Sequence, residues 1–103
     1  TCAILAMAEL DHLLAELVQA GATDLHLAAD RPPRFRIDGY LKDTNLGRIS
    51  ADHLARMLRE VIPGRWEEFE QNRDVDLAWA VPGLSRFRGN IFHKHGGLAA
   101  VFR

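Results

Sequence analysis

Three arginines in the C-terminal part of this 103-residue chain are the side chains best suited to chemistry. Arg86 and Arg88 flank Phe87 in a strand-like segment, and Arg103 lies a short distance further along. A guanidinium group is permanently charged and can bind two phosphate oxygens through parallel hydrogen bonds. If the three side chains share one surface, the sequence predicts a local anion site there.

The register of a predicted hairpin places two of these arginines. A three-residue loop at 82–84 sets Val81 opposite Ser85, so that apolar residues of both strands face each other. A two-residue loop would instead set Arg88 opposite Leu77 on the apolar face, which is a costly burial for a charge. The sequence therefore favours the odd-length loop.

A second hairpin is predicted from the Gly-Gly pair at 96–97, which suits a two-residue turn. That turn pairs Ile91 with Phe102 and Asn90 with Arg103. The three strands then form a meander in which all three arginines emerge on one face, beside Asn90.

Two aspartates offer an alternative interpretation of this face. Asp74 and Asp76 share it in the predicted register, so they could form cross-strand ion pairs with Arg86 and Arg88. Exposed pairs of this kind contribute little, under about 1 kcal/mol each. Spacing alone leaves both the anion site and the ion pairs open.

Four further polar residues alternate along two predicted strands. Asp24 and His26 share a face, where a domain contact, a place near a nucleotide or simple solvation are all open interpretations. Arg36 and Asp38 also share a face, and they are expected to position the turn at Gly39.

Metal binding and catalysis are not predicted. His93 and His95 have a spacing that can bind a metal, but no third ligand is evident nearby. The single Cys2 can form no internal disulfide, which fits a reducing compartment. No residue set resembles a catalytic site.

Composition bounds the remaining possibilities. The chain is 48% hydrophobic and 26% charged with a formal net charge of −1, which suits one globular domain over residues 1–103 and argues against a nucleic-acid binder. The apolar start at 1–8 lacks preceding basic residues and is cut short by Glu9 and Asp11, so no targeting signal is predicted. We expect a cytoplasmic location. The missing initiator Met and the strand-like end suggest a piece of a longer protein.

Hydrophobic periodicity predicts an α+β domain. One helix buries leucines spaced three and four residues apart from Leu10, and a second spans about Ala51 to Ile62 with Ser50 as its cap. A short third helix is expected over Arg65–Gln71. Alternation predicts three strands before the meander, at Asp24–Leu27, Arg34–Asp38 and Tyr40–Asp43.

Two blocks of sequence resemble a known family. The first joins residues 23–27 (TDLHL) to residues 31–39 (RPPRFRIDG), and the second joins residues 74–77 (DVDL) to residues 86–92 (RFRGNIF) and 100–103 (AVFR). Together they resemble the N-terminal, PAS-like domain of the type IV pilus retraction ATPases, the PilT branch of the secretion ATPase superfamily. The resemblance implies a PAS-like antiparallel sheet with two main helices packed on it.

The same resemblance implies a function within a larger assembly. In such a parent protein a RecA-like motor domain follows this domain, ATP and Mg²⁺ bind at the junction, and the subunits form a homohexamer. The hexamer works at the cytoplasmic face of the inner membrane with platform proteins of the pilus. Its N-terminal domains pack against the motor domains of their own and neighbouring subunits. Nucleic acid is not an expected partner.

The implied roles fall on matching positions of this chain. Arg86, Arg88 and Arg103 are implied to approach the nucleotide phosphates, and domain contacts are implied for a second set, Asp24, His26, Arg36 and Asp38. The chain contains no Gly-rich loop ending in Gly-Lys-Ser/Thr, so it is predicted to bind no cofactor and hydrolyse no ATP alone. It departs from the family at residues 93–95, where a Gln-Arg pair is common, and at Gly89, where a β-branched residue is frequent.

Two other functional classes are weighed against this one. A free-standing PAS-like sensory or binding module would be followed by a stop or a kinase-type helix instead of a phosphate-binding loop. Single-stranded nucleic-acid binding through the interleaved Arg and Phe residues at 34–36 and 86–88 is disfavoured by the net charge of −1.

Overall fold

A computed structural model describes residues 9–94 and 97–103. These described residues form three helices and six strands: α1 (Glu9–Gln19), β1 (Asp24–Ala28), β2 (Arg34–Ile37), β3 (Tyr40–Asp43), α2 (Ala51–Val61), α3 (Trp66–Asn72), β4 (Asp74–Val81), β5 (Ser85–Lys94) and β6 (Gly97–Phe102). The predicted α+β class is confirmed. Cys2, the apolar start at 1–8, His95 and Gly96 lie outside the described residues.

The helices begin and end close to the predicted residues. Ser50 caps α2 because its hydroxyl oxygen accepts a hydrogen bond from the backbone N–H of His53 at 3.2 Å. Helix α2 ends one residue earlier than predicted, at Val61, with Ile62 as its buried C-cap. In α1, Leu14 is fully buried while Val18 is 45% exposed. Within the described residues no helix has the length and apolar character needed to cross a bilayer.

All six strands form one antiparallel sheet in the order β3-β2-β1-β6-β5-β4. The sequence predicts a group of three strands, β1 to β3, and the meander β4–β5–β6, but it does not indicate how the two groups join. They join through β1 and β6: β6 pairs with β5 on one side and with β1 on the other, and β1 pairs in turn with β2. Of the six described strands, the first and the last therefore lie side by side at the centre of the sheet.

The β4–β5 register is the predicted one. Val81 lies opposite Ser85, Trp79 opposite Phe87 and Leu77 opposite Gly89. The connecting loop has three residues, and Gly83 adopts a positive φ of 77° in it. The charge of Arg88 is thereby kept off the apolar face, as predicted.

The β5–β6 register differs from the prediction by two residues. Ile91 pairs with Ala100, and Phe102 pairs with Gly89. The reason is packing: a Cβ added to Gly89 would lie 2.6 Å from the Phe102 ring, so the ring occupies the space that the glycine leaves. The predicted register would have set two large side chains, those of Ile91 and Phe102, against each other.

A buried hydrogen bond ties α1 to the edge strand β4. The indole Nε1 of Trp79 donates to Oδ1 of Asp11 at 2.6 Å, and Asp11 is only 6% exposed. A buried carboxylate that loses its donor carries the desolvation penalty without compensation. The contact links residues far apart in sequence, so no local pattern predicts it.

Replacing Trp79 by Phe is expected to lower the free energy of unfolding by about 1–3 kcal/mol, because Asp11 stays buried without its donor. Urea denaturation monitored by circular dichroism measures the change. Trp66→Phe is the matched control, since it removes the same N–H from a residue that packs on Phe69 and Arg59. An equal loss in both variants would show that the Asp11 hydrogen bond contributes nothing specific.

Candidate anion-binding site on the open face of the sheet

The two faces of the sheet have different roles. One face packs against the helices and carries the buried side chains of Leu25, Ile91 and Phe102. The other face, called the open face below, carries the alternate side chains of the same strands. Arg88 and Arg103 are exposed on it, and Asp24 is partly exposed. This alternation follows from the period-two geometry of strands.

A row of four charged residues crosses the open face. Asp24 on β1 lies opposite Arg36 on β2. On its other side Asp24 adjoins Arg103, because the preceding pair in that ladder is Leu25 with Phe102. Arg103 in turn exchanges two backbone hydrogen bonds with Arg88, at 3.0 and 2.8 Å. The order across the sheet is Arg36, Asp24, Arg103, Arg88.

The register shift at β5–β6 brings the last two arginines together. The prediction paired Arg103 with Asn90, but the structure pairs Arg103 with Arg88. A shift of two residues keeps every side chain on its predicted face, so the three arginines still share the open face. Arg86 lies two residues along β5, opposite Ala80, and does not line the depression described next.

Arg88 and Arg103 line a shallow depression of about 830 Å³. Its lining includes Ala78, which lies opposite Arg88 and has a small side chain. Arg65, the residue before α3, also lines this depression, and its guanidinium donates to the backbone carbonyl of Asp76 at 3.2 Å. No sequence pattern indicates Arg65 as a site residue, because only the packing of α3 against β4 brings it there.

The cross-strand ion pairs considered as an alternative do not form. The Asn90 side-chain amide donates to Asp76 at 2.9 Å and approaches Asp74 at 3.5 Å, so it engages both carboxylates. Among residues 9–94 and 97–103, neither Arg86 nor Arg88 lies within ion-pair distance of an acidic side chain. Two adjacent guanidinium groups on a sheet repel each other, so a bound anion would relieve that repulsion.

Asp24 is the acidic centre of the row. Its Oδ2 atom lies 3.4 Å from Nε of Arg36 and 3.8 Å from Nε of Arg103. Nε2 of His26 is also 3.8 Å from the same oxygen. One carboxylate therefore serves two permanent cations and an imidazole.

The surroundings of His26 favour its neutral form. Burial lowers the pKa of His26, and the nearby Arg36 cation lowers it further, while Asp24 opposes both effects. Within the described part of the chain its buried Nε2 atom has no hydrogen-bond partner. The neutral imidazole is therefore favoured on the open face.

The turn after β2 agrees with the sequence interpretation. Nη1 of Arg36 donates to the Gly39 carbonyl at 3.2 Å. Asp38 and Gly39 both have positive φ, at 51° and 82°. Arg36 therefore positions this turn. The contact of Asp38 with another domain stays a prediction.

His93 belongs to the helix side of the domain. Its ring stacks on Phe69, with the ring centroids 4.9 Å apart and the planes 8° from parallel. The imidazole is half-buried, and this stacking holds it against α3. The other imidazole of the metal-like spacing, His95, lies outside the described residues.

Comparison with known proteins finds relatives of this chain in both sequence and structure. The chain is 34% identical over 96 residues to the type IV pilus retraction ATPase PilT of Pseudomonas aeruginosa, an alignment that covers 92% of this chain. It is also 35% identical over 72 residues to a twitching motility protein of Neisseria gonorrhoeae. A crystal structure of the pilus retraction motor PilT with bound ADP superposes with a TM-score of 0.81 over 90% of this chain, at 34% identity. The chain is homologous to the N-terminal region of PilT.

The match to PilT is confined to that region. The chain spans 28% of the length of the P. aeruginosa PilT and 19% of that of the N. gonorrhoeae protein. The ATPase DotB of Legionella pneumophila shares the fold, with a TM-score of 0.77 at 19% identity. No family model matches the chain. The resemblance to PilT drawn from the two sequence blocks is confirmed.

Proposed function

We propose that this chain is the N-terminal regulatory and assembly domain of a hexameric ATPase that powers type IV pilus retraction. In this proposal Arg86, Arg88 and Arg103 approach the phosphates of ATP held with Mg²⁺ by a RecA-like motor domain. The domain also packs against the motor domain of a neighbouring subunit. The assembly works on pilus platform proteins at the cytoplasmic face of the inner membrane.

One observation carries the proposal: Arg88 and Arg103 lie side by side on an exposed face of a PilT-like domain. Two guanidinium groups at adjacent positions can together bind the oxygens of a polyphosphate. A fixed cation at a transferring phosphoryl group stabilises the charge that develops in the transition state. The homologous PilT structure contains ADP, which is the class of ligand that such a pair suits.

The three arginines have unequal roles in the proposal. Arg88 and Arg103 line the depression and are the primary phosphate contacts of the proposal. Arg86 extends the positive surface from the same strand face without lining the depression. The other predicted contact residues, Asp24 and Arg36, continue the row on the far side of Arg103. In the proposal they border the phosphate contacts and meet the adjoining domain.

Alanine at Arg88 or at Arg103 in the full-length protein is expected to lower ATP turnover by about 100-fold, the usual cost of removing one transition-state donor. Turnover is measured at saturating ATP, and size-exclusion chromatography reports the hexamer. The control is Arg56→Ala, which removes an exposed arginine from α2 on the helix side. Unchanged turnover in an intact hexamer of both site variants would remove the phosphate-contact role.

A further inference from the structure

Asp24 stands out in the charged row because its carboxylate faces two arginines of unequal freedom. Arg36 is fixed at two points, by Asp24 at 3.4 Å and by the Gly39 carbonyl at 3.2 Å. Arg103 is 73% exposed and meets Asp24 at 3.8 Å, which is longer than a hydrogen bond. Asp24 therefore holds Arg103 by charge attraction and leaves its guanidinium free to turn.

The environment of Asp24 keeps this carboxylate in place. Its side chain is 16% exposed, and the strands on both sides present an arginine to it. Any anion that reaches the Arg88–Arg103 pair enters next to this fixed negative charge. The two anions then compete for Arg103, and they also repel each other across a short distance.

We propose that Asp24 is a built-in counter-anion of the Arg88–Arg103 pair, which occupies Arg103 while the site is empty and lowers the affinity of the site for phosphate anions. The proposal rests on the proposed function, because it assumes that the pair receives phosphates. It adds a regulatory element that the pair alone does not have. Binding a polyphosphate transfers Arg103 from Asp24 to the ligand, and its release returns Arg103 to Asp24.

Arg36 sets the strength of this competition. Because Arg36 shares the Asp24 carboxylate, it draws part of the negative charge away from Arg103. Loss of Arg36 leaves Asp24 with Arg103 as its remaining arginine partner among the described residues. The two substitutions at Asp24 and Arg36 are thus predicted to change anion affinity in opposite directions.

The test measures binding of inorganic tripolyphosphate to the 103-residue chain by isothermal titration calorimetry at low ionic strength. The chain carries a C-terminal amide, so that no terminal carboxylate is added at Arg103. Asp24→Asn is expected to tighten binding about three- to tenfold, because a charge near the ligand is removed. The gain shrinks at high salt, since the repulsion is screened. Glu60→Gln, an exposed charge on α2, is the control and leaves affinity unchanged within about twofold.

A second pair of variants keeps the test decisive if Asp24→Asn fails to fold. Arg36→Gln is expected to weaken binding more than Arg34→Gln, which removes the same charge from the same face of β2. Circular dichroism confirms that each variant is folded before titration.

Three results would overturn the inference. Equal affinity of Asp24→Asn and the parent chain means that the carboxylate does not compete, although the arginines still bind phosphate. Weaker binding by Asp24→Asn means that Asp24 positions Arg103 for the ligand. If no variant binds tripolyphosphate, there is no anion for Asp24 to compete with. The proposed function is judged separately, by the turnover of Arg88→Ala in the full-length protein.

Discussion

Replacing Gly89 by valine is expected to cost the domain about 3 kcal/mol or more of its free energy of unfolding, a large part of the stability of a chain this size. A Cβ at this position would lie 2.6 Å from Cε1 of Phe102 and 3.3 Å from Cγ of Leu77. Phe102 is fully buried, so its ring cannot move aside without opening the core. Thermal and urea denaturation measure the loss.

Two comparisons separate this packing effect from a general cost of losing glycine. Gly97→Ala is the control, because a Cβ there meets its nearest atom at an ordinary 3.6 Å. Gly89→Val combined with Phe102→Leu is expected to recover part of the stability, since the smaller side chain leaves room for the methyl groups. A fully stable Gly89→Val single variant would contradict the packing that sets the β5–β6 register.

A charge series at Arg88 is expected to have the largest effect on activity. In the full-length protein, turnover should fall in the order arginine, lysine, glutamate, and Arg88→Glu should lose about 1000-fold or more, as when an arginine finger is removed. Lysine keeps the charge but not the planar fork of donors, so Arg88→Lys should be intermediate. Glutamate adds a repulsive charge against the phosphates.

The control for the series is the same reversal, Arg56→Glu, at an exposed position on α2. Arg88 is exposed and lies opposite the small residue Ala78, so neither substitution is expected to disturb packing. Identical losses with lysine and glutamate would indicate a requirement for shape rather than charge. Loss of the hexamer in parallel with turnover would place Arg88 in assembly instead.

The sequence predicts a hairpin well when one register is much cheaper than its neighbours. In β4–β5 a slip would bury the charge of Arg88 against Leu77, and the predicted pairing is the observed one. In β5–β6 registers two residues apart keep the same faces, so alternation cannot distinguish them. The fit between Gly89 and the Phe102 ring decides that register, and it depends on the shapes of residues distant in sequence.

For the candidate site, the sequence predicts which residues share a face, but it does not predict which of them are neighbours. That Arg86, Arg88 and Arg103 share a face follows from alternation, whereas the adjacency of Arg88 and Arg103 depends on the register. The pairing of β1 with β6 brings Asp24 beside Arg103, and no local pattern indicates that long-range contact. Arg65 likewise enters the depression only through the packing of α3 beside β4.

The central claim is that the open face meets nucleotide phosphates through Arg88 and Arg103. A structure of the full-length protein with bound nucleotide tests it most directly. We predict that a guanidinium nitrogen of Arg88 or Arg103 lies about 3 Å from a phosphate oxygen, the distance of a charge-assisted hydrogen bond. A nucleotide whose phosphates lie more than about 10 Å, one Debye length, from both guanidinium groups would contradict the claim.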